Sequence, residues 1–85
     1  MMRLDQLRLF FEAGDLLSAE IVTAPLEPGP DARWMLECRR RNGTRVALAL
    51  NRRKAGLEQV RIFNSLDAAF AAAKAIGFQA ATIRS

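Results

Sequence analysis

The stretch Arg33-Trp34-Met35-Leu36-Glu37-Cys38-Arg39-Arg40-Arg41-Asn42-Gly43-Thr44-Arg45-Val46-Ala47-Leu48-Ala49-Leu50-Asn51 decides the fold. Two alternating runs meet at Asn42-Gly43, the strongest short-range turn signal in the chain. A two-residue type I′ loop would pair Arg41 with Thr44 and Leu36 with Ala49. It would leave Trp34, Leu36 and Cys38 on one face and Val46, Leu48 and Leu50 on the other. A buried face specifies register strongly, so a split apolar set argues against that loop. A three-residue loop, Arg41-Asn42-Gly43, is a type I turn with Gly43 left-handed in a G1 bulge. It sets Cys38 against Val46, Leu36 against Leu48 and Trp34 against Leu50, all on one face. This is the expected register.

The other face of the hairpin then carries Arg33, Met35, Glu37 and Arg39 beside Arg45, Ala47, Ala49 and Asn51. Arg39 and Arg45 become direct cross-strand neighbours, and like charges so placed are mildly destabilising. A polyanion would offset the repulsion; so would Glu37 or solvent. A solvated sheet face and a binding face both remain open on this pattern.

Upstream, Leu4, Leu7, Phe10 and Phe11 fall at helical spacing within residues 3–13, and Gly14 is a natural stop. The helix faces the core, or its two phenylalanines form a dimer seam. Residues 19–26, with Ile21, Val22 and Thr23, read as a strand that Pro25 marks as an edge or terminates. Residues 27–31 are a loop by composition, too short to link domains. Downstream of the hairpin, residues 52–58 make a basic loop turning at Gly56. Residues 59–63 make a further strand, with Val60 and Ile62 on one side and Arg61 and Phe63 on the other.

The last helix is capped by Asn64 or Ser65, with Asp67 in its first turn to complement the dipole. Leu66, Ala69, Phe70, Ala73 and Ile76 form its buried stripe, and its many alanines let it lie close to a sheet. Gly77 suits the left-handed position after it, and Phe78 supplies the apolar contact of a Schellman motif. Residues 79–84 alternate as a short closing strand. The fold class is therefore α+β. An antiparallel three- to four-stranded meander carries a C-terminal helix on the Trp34, Leu36, Cys38, Val46, Leu48, Leu50 face. An N-terminal helix and a short closing strand complete it. Which sheet face the first helix covers is open; on the basic face it would hide part of it.

The chain has 85 residues, which makes a single domain, residues 1–85, with a modest core. At 51% apolar it is too hydrophobic for disorder. The single cysteine excludes an intramolecular disulfide and fits a reducing cytoplasm. Facing inward, Cys38 reads as a small apolar core residue. No apolar run is long enough for a membrane span, and Asp5 and Gln6 stand where a signal peptide would be apolar. Net charge is +4, unevenly spread. Residues 33–61 hold nine basic residues against two acids, while the remainder holds four against seven. A positive pole on a slightly acidic body suggests an anionic partner.

Catalysis finds no support. The chain has no histidine and no tyrosine, so the usual general base and the commonest metal ligand are missing. One cysteine cannot complete a zinc site, and no glycine-rich loop with a lysine precedes a helix. The acids are scattered singly, and Ser18, Ser65 and Ser85 have no activating base. No catalytic residue, metal site or cofactor is expected.

Trp34 on the first hairpin strand, Phe63 at the end of the third, and Asp67-Ala68-Ala69 opening the helix carry a resemblance. In outline, residues 34–77 resemble the sheet-plus-helix DNA-binding domains of plant ethylene-response factors and of some integrase N-termini. The resemblance implies that the sheet face opposite the helix reads the major groove. The chain departs from those families in lacking their further glycine and tryptophan pattern. It also adds an N-terminal helix, an extra strand and a closing strand. Separately, Arg61-Ile62-Phe63-Asn64-Ser65-Leu66-Asp67-Ala68-Ala69 and Ile76-Gly77-Phe78 resemble small accessory proteins of bacterial conjugative plasmids and integrative elements. Those proteins tend to lie near partition or stability genes. This implies a mobile-element setting and no mechanism.

Two functions fit these observations. In the first, the chain binds duplex DNA without catalysis. Arg33, Arg39 and Arg45 on the sheet, with the loop residues Arg40, Arg41, Arg52, Arg53 and Lys54, would contact phosphates. Such contacts confer affinity and salt dependence but no sequence choice. No aromatic ladder is present for stacking single strands, so duplex is favoured. In the second, the basic hairpin docks an acidic protein surface, or the strand from Ala19 offers an exposed edge. A homodimer suits both, because so small a chain gains core by pairing.

Overall fold

A computed structural model of the chain describes residues 1–23, 33–49 and 60–84. Pro25, the loop at 27–31, Leu50, Asn51, Arg52, Arg53, Lys54, Gly56, Gln59 and Ser85 lie outside the described residues. Six elements follow in order: α1 (Leu4–Glu12), β1 (Leu16–Thr23), β2 (Trp34–Arg40), β3 (Arg45–Ala47), α2 (Leu66–Ile76) and β4 (Thr82–Arg84).

The hairpin adopts the three-residue loop. Cys38 pairs with Val46 and Arg39 with Arg45, and Leu48 N–H donates to the Leu36 carbonyl at 2.9 Å. At the turn, Gly43 N–H donates to the Arg40 carbonyl at 2.9 Å with Gly43 at φ +91°. The Asn42 carboxamide accepts from both the N–H and the hydroxyl of Thr44. A short polar side chain thus takes up donors that the loop leaves without backbone partners.

Leu50, the expected partner of Trp34, lies outside the described residues. Trp34 and Phe63 exchange both backbone hydrogen bonds, at 2.9 and 2.7 Å, and Ala49 bridges to Val60. Among the described residues, 60–63 make only these isolated bridges and no regular strand, contrary to the expected third hairpin strand. Phe63 is buried in the core, and the Arg61 guanidinium lies 4.9 Å over its ring. Alternation alone does not reveal that one bulky aromatic anchors this segment.

The sheet order is β3-β2-β1-β4. β1, β2 and β3 form the antiparallel meander, but β4 runs parallel to β1, so the sheet is mixed. A period-two pattern is the same for either direction; where α2 delivers the chain decides it. β1 starts at Leu16, earlier than Ala19, and a bulge between Leu16 and Ser18 shifts its pairing with β2. It is also an interior strand, because β4 occupies the side expected to be free.

Both helices lie on the same face of the sheet. Leu7 of α1 and Ala69, Ala72, Ala73 and Ile76 of α2 share one buried cluster with Leu36, Cys38, Val46 and Leu48. That places α1 beside α2 over the Cys38 face, and among the described residues no helix lies on the hairpin's basic face. The termini are capped as the sequence indicates. Gly14 N–H donates to the Phe11 carbonyl and Asp15 N–H to that of Phe10, a Schellman end for α1. Ser65 Oγ accepts from Ala68 N–H at 3.1 Å at the start of α2. At the end of α2, Phe78 N–H donates to the Ala73 carbonyl, and its ring meets Phe11 of α1 edge-on at 4.9 Å.

Candidate nucleic-acid interface

The face opposite the helices is assembled by all four strands. The register puts Arg45 and Ala47 of β3, Met35, Glu37 and Arg39 of β2, Ser18, Glu20 and Val22 of β1, and Thr82 and Arg84 of β4 on it. Val22 and Ala49 are buried outside the main cluster.

The arginines singled out by the sequence separate into two groups. Arg39 and Arg45 are exposed, directly opposite each other, and Arg41 is exposed at the hairpin tip. Arg33 is exposed too, but its Nη1 donates to Asn64 Oδ1 at 2.8 Å, tying the start of β2 to the segment before α2. Arg40 is a correction to the expected loop residue: it ends β2 and turns toward the helices. Its Nε and Nη2 both donate to Asp15 Oδ2, at 3.0 and 2.7 Å, and its guanidinium lies 4.9 Å over the Phe10 ring. The side chain is half-buried in a structural clamp and is not presented to a ligand on the basic face. Arg52, Arg53 and Lys54 lie outside the described residues.

The repulsion between Arg39 and Arg45 is met by a residue that hairpin reasoning could not supply. Glu20, on β1, stands with its Oε2 3.8 Å from Arg45 Nη1 and 3.3 Å from Arg84 Nη2. Arg84 also donates to Glu37 Oε1 at 3.2 Å. Glu20 Oε2 is enclosed and accepts no hydrogen bond among the described residues, so the stabilisation they give it is electrostatic. Arg39 makes no ion pair among the described residues. The face is therefore a mixed field: two carboxylates at its centre, with Arg45 and Arg84 folded over them and Arg39 and Arg41 left toward the tip. Glu20 and Arg84 are far from the hairpin in sequence, and only pairing of β1 with both β2 and β4 brings them in.

Cys38 lies under this sheet among the core residues, and burial pushes its thiol up to about 12. It remains a protonated apolar side chain. Among the described residues no three histidine, cysteine or acidic side chains gather to hold a metal ion, and no helix is long and apolar enough to cross a membrane.

Comparison with known protein families, with curated proteins and with solved structures returned no match.

Proposed function

We propose that the chain is a small non-enzymatic domain that grips the phosphate backbone of duplex DNA through the hairpin arginines. The observation that supports this reading is that both helices share one side of the sheet, leaving Arg39, Arg41 and Arg45 exposed on the other face and at its tip. A guanidinium donates in pairs to phosphate oxygens, so three of them along one hairpin suit a phosphate track. Arg33 and Arg40, tied to Asn64 and Asp15, serve the fold in this reading, while Arg52, Arg53 and Lys54 extend the basic surface on the strength of sequence alone. The setting we assign is the bacterial cytoplasm, on a plasmid or integrative element, from sequence resemblance.

The test is fluorescence anisotropy of a labelled random duplex at low and physiological salt. Wild-type protein is expected to bind, with affinity falling steeply as salt rises. Arg39→Glu/Arg41→Glu removes two arginines that make no ion pairs among the described residues, so it should fold normally. It is expected to abolish binding, and Arg39→Gln/Arg41→Gln should lower the salt slope by about 2.

A second reading has its own observation. Glu20 and Glu37 lie on the same face as the arginines, and a phosphate backbone would be repelled by them. A mixed-charge protein surface would not. Absence of duplex binding even at low salt would transfer the face to a protein partner.

A further inference from the structure

We propose that two copies of this chain join along β4, edge to edge, into one continuous sheet with the helices of both copies on the same side. β4 is the outermost strand, and Thr82, Ile83 and Arg84 are all exposed, Ile83 by 56%. A bare edge presents unpaired backbone N–H and C=O groups, which a further strand satisfies.

The side chains select a second copy as that strand and fix its register. Residues directly opposite in an antiparallel pair point to the same face. Thr82 and Arg84 belong to the open face, through Glu20 and Val22, and Ile83 belongs to the helix face through Ile21. A twofold axis perpendicular to the sheet can therefore pass only through a pair formed by a residue and its own mate. An axis at Arg84 would set two guanidiniums against each other, which is unfavourable. An axis at Thr82 would need residues 80 and 81 as strand, and they precede β4. The axis at Ile83 suffers from neither. It brings the two exposed Ile83 side chains together on the helix face, and it places Thr82 opposite Arg84 of the second copy on the open face.

Charge is complementary in that register. Thr82 is the partner of Glu20 on β1. The second copy's Arg84 thus stands two strands from Glu20, roughly 10 Å between backbones, a gap that an arginine and a glutamate can close. Glu20 accepts no hydrogen bond among the described residues, and its own Arg84 is shared with Glu37. Each copy carries an acid one strand inside the edge and a base on it, the pattern a self-pairing edge requires. The contact is short, so the dimer is weak and concentration-dependent.

The experiment is sedimentation equilibrium of the full chain, without nucleic acid, from micromolar to millimolar concentration. A reversible monomer–dimer equilibrium is expected. Ile83→Lys, at an exposed position, should weaken it by roughly tenfold or more through like charges on the axis, with the circular dichroism unchanged. Ile83→Thr keeps the β-branched strand residue and should weaken it less. In a separate arm, Ile83→Cys should give a disulfide-linked dimer on mild oxidation, since opposed Cα atoms about 4.5–5.5 Å apart are within disulfide range. Thr82→Cys, facing the other copy's Arg84, should not, and the buried Cys38 does not compete. A monomer at every concentration, a dimer untouched by Ile83→Lys, or equal cross-linking through Thr82→Cys would each overturn the proposal. None of these outcomes depends on whether the chain binds DNA.

Discussion

The ring of Phe11 occupies the space where a side chain at Gly77 would begin. A Cβ built on Gly77 would lie 2.5 Å from Phe11 Cε1 and 2.6 Å from Cδ1. Gly77 also holds φ +138°, a conformation that side-chain-bearing residues rarely adopt. The end of α2 and the last turn of α1 thus approach as closely as backbone and ring allow.

Gly77→Ala is therefore expected to be among the most damaging single substitutions. Backbone strain and overpacking each contribute about 1–3 kcal/mol. Gly43→Ala is the internal control. It too has positive φ, at +91°, but a Cβ there meets nothing within 4 Å. Its cost should be confined to the backbone, about 1–2 kcal/mol. Urea unfolding of the two variants should show Gly77→Ala distinctly the less stable; equal midpoints would mean that Phe11 yields.

Arg40 and Arg41 are adjacent in sequence and should separate in function. Arg40→Gln breaks the doubled hydrogen bond to Asp15 and should lower stability by roughly 1.5–3 kcal/mol, the range for hydrogen bonds to charged groups. Its effect on duplex affinity, measured where the variant remains folded, should be small. Arg41→Gln should do the reverse, leaving the unfolding midpoint in place and weakening the duplex complex.

Glu20 restrains the basic face. Glu20→Gln removes the charge that holds Arg45 and Arg84, freeing both for phosphate. Duplex affinity should rise and its salt dependence steepen by about one to two contacts. Anisotropy titrations at several salt concentrations check this; weaker binding by Glu20→Gln would show that Glu20 positions the arginines instead of competing for them.

Cys38 should make stability depend on pH above the neutral range. Burial pushes its pKa up from 9.0 to about 12, so between these values the unfolded chain loses a proton that the folded chain keeps. Fewer bound protons in the unfolded state give a negative slope of unfolding free energy with pH. The contribution is fully present below about pH 9 and is lost as pH rises toward 12. Cys38→Ala should lack this component, and comparing the two chains cancels the titration of everything else. At neutral pH a thiol reagent should modify native protein only as fast as the chain opens.

Much of this fold was legible in residues 33–49, because a hairpin is local. Once Asn42-Gly43 marks the turn, burial of Leu36 and Cys38 with Val46 and Leu48 leaves a single register that keeps them together. The caps were legible for the same reason: Gly14, Ser65 and Gly77 act on backbone groups within a few residues of themselves. The site was less so. The exposed Arg39 and Arg45 followed from the register, but the same alternation reads equally well for an arginine bound to Asp15.

The sequence by itself thus determined the two helices, the hairpin pairing and the inward Cys38, since these depend on periodicity and on groups nearby in the chain. Only the tertiary structure decided that α1 joins α2 on one face, that β4 lies parallel to β1, that Phe63 pairs with Trp34, and that Glu20 and Arg84 enter the basic face. Each of these joins segments distant in the chain. Their pairing is chosen by packing the whole core at once, and no local pattern encodes it.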